Sequence, residues 1–323
     1  MQTTSYNSVL DSTKRVVDLS THVTIDHAKI RAICNATSIL AFPHWFDAAP
    51  VDLNTLAPVQ RLSFLFLFNA LSFRYWGEPK WTVQYHGSAY DGSWGMIAAI
   101  ARAHEGGVPI LDPTSWARIS ETSARDIFSG NILIPNFQVR LDIIRELGDQ
   151  LRNHYDGDIS RLFIRGDNDA LLITDLIVNI FHSFDDQADF HGLIVQFRKR
   201  AQLFIADVAK SFSEGPLGTI ANIDKLTAAA DYKLPWILRR LGILRYDHTL
   251  AEKVNNRILI ARGSDEEVEI RANTIWAVEY LTHRLRDRLP NLRATDVNDF
   301  LWLMSQAHTQ RDEPYHLCDT TAY

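Results

Sequence analysis

The side chains able to do chemistry in this chain are acids, bases and flat aromatics spread over distant segments. Asp186 closes the run Ser183-Phe184-Asp185-Asp186, Lys199 and Arg200 stand side by side, and Asp231 precedes Tyr232. His44 stands before Trp45, and Trp94 and Trp302 are large planar rings. There is no glycine-rich phosphate loop, dinucleotide fingerprint or paired-histidine zinc motif, and no Gly-x-Ser-x-Gly elbow. The 12 histidines are scattered. The sequence therefore signals neither metal nor cofactor, and none is expected. What remains is acid–base or electrostatic chemistry carried by side chains. Each candidate also has a plainer reading. An aspartate before a helix caps it, and tryptophans more often fill a core. Lys199 and Arg200 are consecutive on an expected helix, so at most one points squarely into a cleft.

Helical periodicity dominates the elements that must position these residues. Residues 195–212 place Phe197, Ala201, Phe204, Val208 and Phe212 on one helical face. Residues 266–285 repeat the pattern through Ile270, Thr274, Ala277, Val278 and Leu281, with Glu267 and Arg271 four apart as a supporting pair. Residues 295–308 form a third helix, with Asp296 and Asp299 near the start, where the helix dipole favours acids. Residues 62–71 read as a buried helix, too short to span a bilayer. Strand signals are few: 81–85 and 89–94 around His86-Gly87-Ser88 fit a small hairpin. Residues 106–113 are a loop.

Composition sets the class. The chain has 323 residues, 46% of them hydrophobic and 22% charged, which is ordinary globular usage. No linker or repeat forces a boundary, so one domain over 1–323 is expected, mostly α, with room for two lobes around a cleft. The net charge of −6 supplies no basic field for bulk nucleic acid, although a local basic pocket could hold a single nucleotide. No membrane partner is expected, and the oligomeric state is open. The two cysteines, Cys34 and Cys318, fit free thiols. The polar residues 1–8 lack a secretory pattern. Both features point to the cytoplasm.

Three stretches together resemble the queuosine salvage protein family, the queuosine 5′-phosphate N-glycosidases. The first is Phe68-Asn69-Ala70-Leu71-Ser72-Phe73-Arg74-Tyr75-Trp76, followed by Gly92-Ser93-Trp94. The second runs from Phe197-Arg198-Lys199-Arg200-Ala201-Gln202 through Ala230-Asp231-Tyr232-Lys233-Leu234-Pro235 to Leu241-Gly242-Ile243-Leu244-Arg245-Tyr246. The third is Glu267-Val268-Glu269-Ile270-Arg271, with Tyr315-His316 and Tyr323. The resemblance extends from about Ser63 onward. It implies a helical fold similar to helical DNA glycosylases. It also implies metal-free cleavage of the N-glycosidic bond of queuosine 5′-phosphate, releasing queuine and ribose 5-phosphate.

Such a cleavage passes through an oxocarbenium-like sugar. It needs a carboxylate beneath the anomeric carbon and a way to quench charge on the departing base. Several residues suit these needs: Asp186 to contact the sugar or base, Asp231 to position the substrate, Phe184, Tyr232 and Trp302 against it, and Lys199 and Arg200 for the 5′-phosphate; the resemblance implies His44 as a further contact. One departure stands out. The family's Phe-x-Asp-Ile pattern aligns with Ile220-Ala221-Asn222-Ile223. Asn222 occupies the expected catalytic position, and Ile220 that of the stacking ring. An asparagine cannot neutralise an oxocarbenium ion. Either Asp224, Asp186 or Asp231 supplies the carboxylate, or the scaffold binds or transforms another small molecule.

Overall fold

The computed structural model describes residues 7–36, 42–212, 214–307 and 313–323. Residues 1–6, at the polar start, and His308, in the third expected helix, lie outside them. The fold is mostly α, as expected: fourteen α-helices and six short strands among the described residues. The strands make three two-stranded antiparallel sheets where the sequence suggested one hairpin. Val23–Ile25 pairs with Leu244–Tyr246, Thr82–Tyr85 with Ser88–Asp91, and Gln187–Phe190 with Leu193–Gln196.

Two of these hairpins turn on the same dipeptide. His86-Gly87 has φ of 46° and 79°, and His191-Gly192 has 54° and 83°. Positive φ at both central positions matches the strand twist, and the glycine reaches it without Cβ strain. The second turn corrects one expectation: residues 193–196 are strand, and the helix is Lys199–Ser211. Val195 is fully buried while Ile194 is 58% exposed, the two-residue alternation of a strand. Arg198, at φ 52°, then breaks the chain before the helix starts.

The other expected helices form as Asp265–Leu285 and Ala294–Gln306. The first opens on Ser264, whose side chain accepts from the Glu267 amide, and carries three acids in its first turn. Helix Pro58–Leu71 begins with proline, which loses no needed N–H there, and every residue from Leu62 to Leu71 is buried. Each of its large side chains contributes about 1.5–3 kcal/mol on burial. Around it lies the larger hydrophobic cluster, with helices Phe137–Tyr155, Ala170–Ile180 and Lys199–Ser211. A second cluster gathers helices Lys233–Arg240, Asp265–Leu285 and Ala294–Gln306. Trp302 packs against both.

Candidate active site

Where the two clusters meet, a cleft opens. Ser72, Ser93, Lys199, Asp231 and Trp302 line both its mouth and its inner end, making them one continuous space. The mouth adds Lys80, Lys233, Asp91, Tyr232 and Tyr315. The inner end adds Trp45, Phe68, Asn69, Asp207, Asn298 and Asp299. Lysines therefore gather at the mouth and buried acids and amides at the inner end, with aromatic rings along both.

Asp231 sits at the junction, only 8% exposed. Its Oδ1 accepts the amides of Lys233 (2.8 Å) and Leu234 (2.9 Å), capping helix Lys233–Arg240. Its Oδ2 takes no hydrogen bond among the described residues, so one carboxylate oxygen fixes the group and the other remains for chemistry. The sequence posed capping and substrate contact as alternatives. The two oxygens allow both.

Lys199 faces Asp231 from the first position of its helix. Its Nζ donates to the Ser72 carbonyl at 3.1 Å. Burial pulls its pKa down to about 8; Asp231 and Asp186 oppose that, while Arg200 and Arg271 reinforce it. Lys233, whose ammonium lies 5.4 Å from the Trp236 ring and 5.8 Å from that of Tyr315, is also lowered by burial.

The inner acids are unusual. Asp207 accepts the Trp45 indole N–H at 2.8 Å and the Asn69 side-chain amide at 2.8 Å. Burial still pushes its carboxyl up to about 7. Asp299 is raised well above its ordinary value by burial and by Asp207. His44 lies against both, with Nε2 3.0 Å from Asp299 and 3.7 Å from Asp207. Its Nδ1 accepts the Phe46 amide, which places the proton of the neutral ring on Nε2. Burial lowers its pKa to about 3. A neutral imidazole thus faces two carboxyls whose protonated forms burial favours.

The structure brings together Lys199, Asp231, Tyr232 and Trp302 along the cleft, with His44 directly behind its inner acids. Five other candidates do not line it. Asp186 is 3% exposed and gripped by the Arg271 fork at 2.8 and 2.6 Å. Burial alone would raise its pKa, but Arg271 holds it below the ordinary range. Arg200 donates to the carbonyls of Ala70 and Ser183, as expected if only one of two consecutive helical residues reaches the cleft. Phe184 stacks on Phe66 in the larger cluster at a 5.6 Å centroid distance, and Ile220 belongs to the same cluster.

Asn222 also stands away from the cleft. At φ 55° it starts a short 3₁₀ turn, and its side-chain amide donates to Asp169, the cap of helix Ala170–Ile180. Neighbouring Ala221 pairs with Asp169 through an isolated parallel bridge. Asn222 thus ties a loop to a helix start. Its lack of charge removes nothing from the cleft, where Asp231 stands. Asp224 is exposed and also outside the cleft.

Sequence reasoning missed Asn69, Asp207, Asn298 and Asp299. A signal was present for Asn69 and Asp207: each is a polar residue within a buried helical run, and burying a polar group costs free energy unless something pays it back.

The chain matches the family model described as queuosine salvage protein over residues 54–323. It is 36% identical over 323 residues to a Sphaerobacter thermophilus protein named queuosine 5′-phosphate N-glycosylase/hydrolase, covering 98% of this chain and 97% of the relative. Mouse and Dictyostelium discoideum proteins of the same name are 30% identical (95% and 96% covered) and 28% identical (98% of each). The chain belongs to the queuosine salvage protein family.

Proposed function

We propose that this chain hydrolyses the N-glycosidic bond of queuosine 5′-phosphate, releasing the deazaguanine base queuine and ribose 5-phosphate. The observation that carries the reading is Asp231: one oxygen anchored by two amides, the other unengaged, at the junction of a cationic mouth and an aromatic, acidic inner end. The 5′-phosphate lies against Lys199 and Lys233 at the mouth, and the ribose spans Asp231. The base enters between Trp302 and Phe68, where its N–H-rich edge meets Asp207 and Asp299. As the C–N bond breaks, both its electrons leave with the base, and positive charge grows on the sugar opposite the Asp231 carboxylate. A protonated inner carboxyl can return a proton to the base. Water completes the sugar product, its hydroxyl going to the anomeric carbon and its proton, through solvent, restoring the inner carboxyl.

This reading involves a small nucleotide and no bulk nucleic acid. No helix among the described residues is long and apolar enough to cross a membrane. Both cysteines are buried free thiols, which supports a cytoplasmic setting. The test is incubation with queuosine 5′-phosphate and chromatographic detection of the released base. Base release by the wild type, lost in Asp231→Asn, is expected. No release by the wild type refutes the substrate, and full release by the variant refutes the site.

A further inference from the structure

We infer that the buried Arg271–Asp186 pair is a positioning device that holds Lys199 and Asp231 in register across the cleft. The inference rests on the glycosidase reading above. Neither partner lines the cleft; Asp186 bonds the Lys199 backbone, and Arg271 bonds the residue just before Asp231. Arg271, on helix Asp265–Leu285, grips both Asp186 oxygens at 2.8 and 2.6 Å and donates from Nε to the Ala230 carbonyl at 3.2 Å. Ala230 immediately precedes Asp231. Asp186 Oδ2 in turn accepts the Lys199 amide at 3.1 Å. The Asp186 carbonyl also accepts the amides of Phe197 and Arg198 at 2.9 and 3.2 Å, fixing the approach to the helix.

A single guanidinium thus connects two segments far apart in sequence. It cannot swing away, because its plane lies 3.8 Å from the Phe197 ring centroid and 4.6 Å from that of Tyr323. Stability alone is a weak account of this pair. Apolar residues of similar volume often stabilise as well as a buried ion pair. What they cannot reproduce is the planar fork, with three donors in fixed directions. Small misplacement of reacting groups costs rate far more than binding.

The test uses the full chain with queuosine 5′-phosphate. Arg271→Lys keeps the charge and loses the fork; Asp186→Asn keeps the size and loses the charge. Folded sites are counted by titration with queuine, below each variant's melting temperature. For each variant, kcat per folded site is expected to fall at least tenfold, with the rise in KM that comes through the displaced Lys199 smaller than that fall. Wild-type kcat per folded site in either variant overturns the inference. So does a loss confined to KM, or failure of both variants to fold at any temperature, since the pair is then structural only. Asp231→Asn runs in parallel. If that variant hydrolyses normally, the site reading itself has failed. If it is inactive while Arg271→Lys and Asp186→Asn are normal, only the positioning role has.

Discussion

Replacing Asp231 separates the helix cap it provides from the catalytic role proposed for it. Asp231→Asn keeps an oxygen where Oδ1 accepts the Lys233 and Leu234 amides but removes the charge. Asp231→Ala removes both. Loss of a preorganised group facing developing charge costs about 10²–10³ in kcat, or about 3–4 kcal/mol, so both variants are expected to lose at least that much. Their stabilities differ. The alanine gives up a helix cap worth about 1 kcal/mol, a fall of about 1–2 °C in Tm for a chain of this size. The asparagine stays within about 1 °C. The charge loss also reaches Lys199, because Asp231 is the largest influence holding its pKa up against burial. In both variants that ammonium gives up its proton at lower pH than the wild type's value of about 8. The assay is base release across pH, with melting followed by circular dichroism. An asparagine variant keeping more than a third of wild-type kcat would refute the catalytic role, and equal Tm for the two variants would refute the cap.

The remaining predictions concern other residues. Lys199 serves the phosphate only while protonated, so KM for the 5′-phosphorylated substrate rises as pH climbs through about 8, and Lys199→Met removes that limb; a pH-independent wild-type KM contradicts this. The carboxyl of Asp207 is raised from its ordinary value to about 7 by burial. The folded state therefore binds the extra proton between these values, and stability contributed there is lost as pH rises through about 7. The stability of Asp207→Asn relative to wild type should accordingly increase between pH 6 and pH 8, by no more than about 1.4 kcal/mol per pH unit; a constant difference in thermal melts counts against it. Asn222→Asp sets a second carboxylate against Asp169, so it should lower Tm modestly and leave kcat within about twofold; a gain in hydrolysis would return Asn222 to the reaction.

What the sequence made legible follows from what each pattern encodes. Amphipathic period fixed helices Asp265–Leu285 and Ala294–Gln306 within a residue or two. The His86-Gly87 turn was readable because flanking strand residues bounded it. The identical His191-Gly192 turn was not, because Phe197, Ala201 and Phe204 extend a helical spacing backward over Val195. Only the left-handed Arg198 breaks that spacing, and an arginine gives no warning of it. Residues in ordered motifs, Lys199 and Asp231 among them, were picked out by sequence and do line the cleft. At Asn222 a family pattern was matched by position, whereas its contacts tie it to Asp169 away from the cleft. Asp207 and Asp299 were invisible as a pair, since only the fold puts both against His44.

The segment Ala230–Pro235 explains why one aspartate can carry both roles. A helix start exposes amide donors that need acceptors. Here the Lys233 and Leu234 donors go to Asp231 Oδ1, and Pro235 has no N–H to offer. The first turn is thereby almost fully satisfied by a single oxygen. Hydrogen bonds to a charged group contribute about 1.5–3 kcal/mol each, enough to offset burying the carboxylate at 8% exposure without an ion pair to quench it. Ala230, just before it, is held by Arg271. A carboxylate stabilised by amides keeps its field, whereas one locked to a guanidinium, as Asp186 is, has spent it. That contrast is the physical reason for assigning the reaction to Asp231 and the scaffolding to Asp186, though both are buried aspartates near the same lysine.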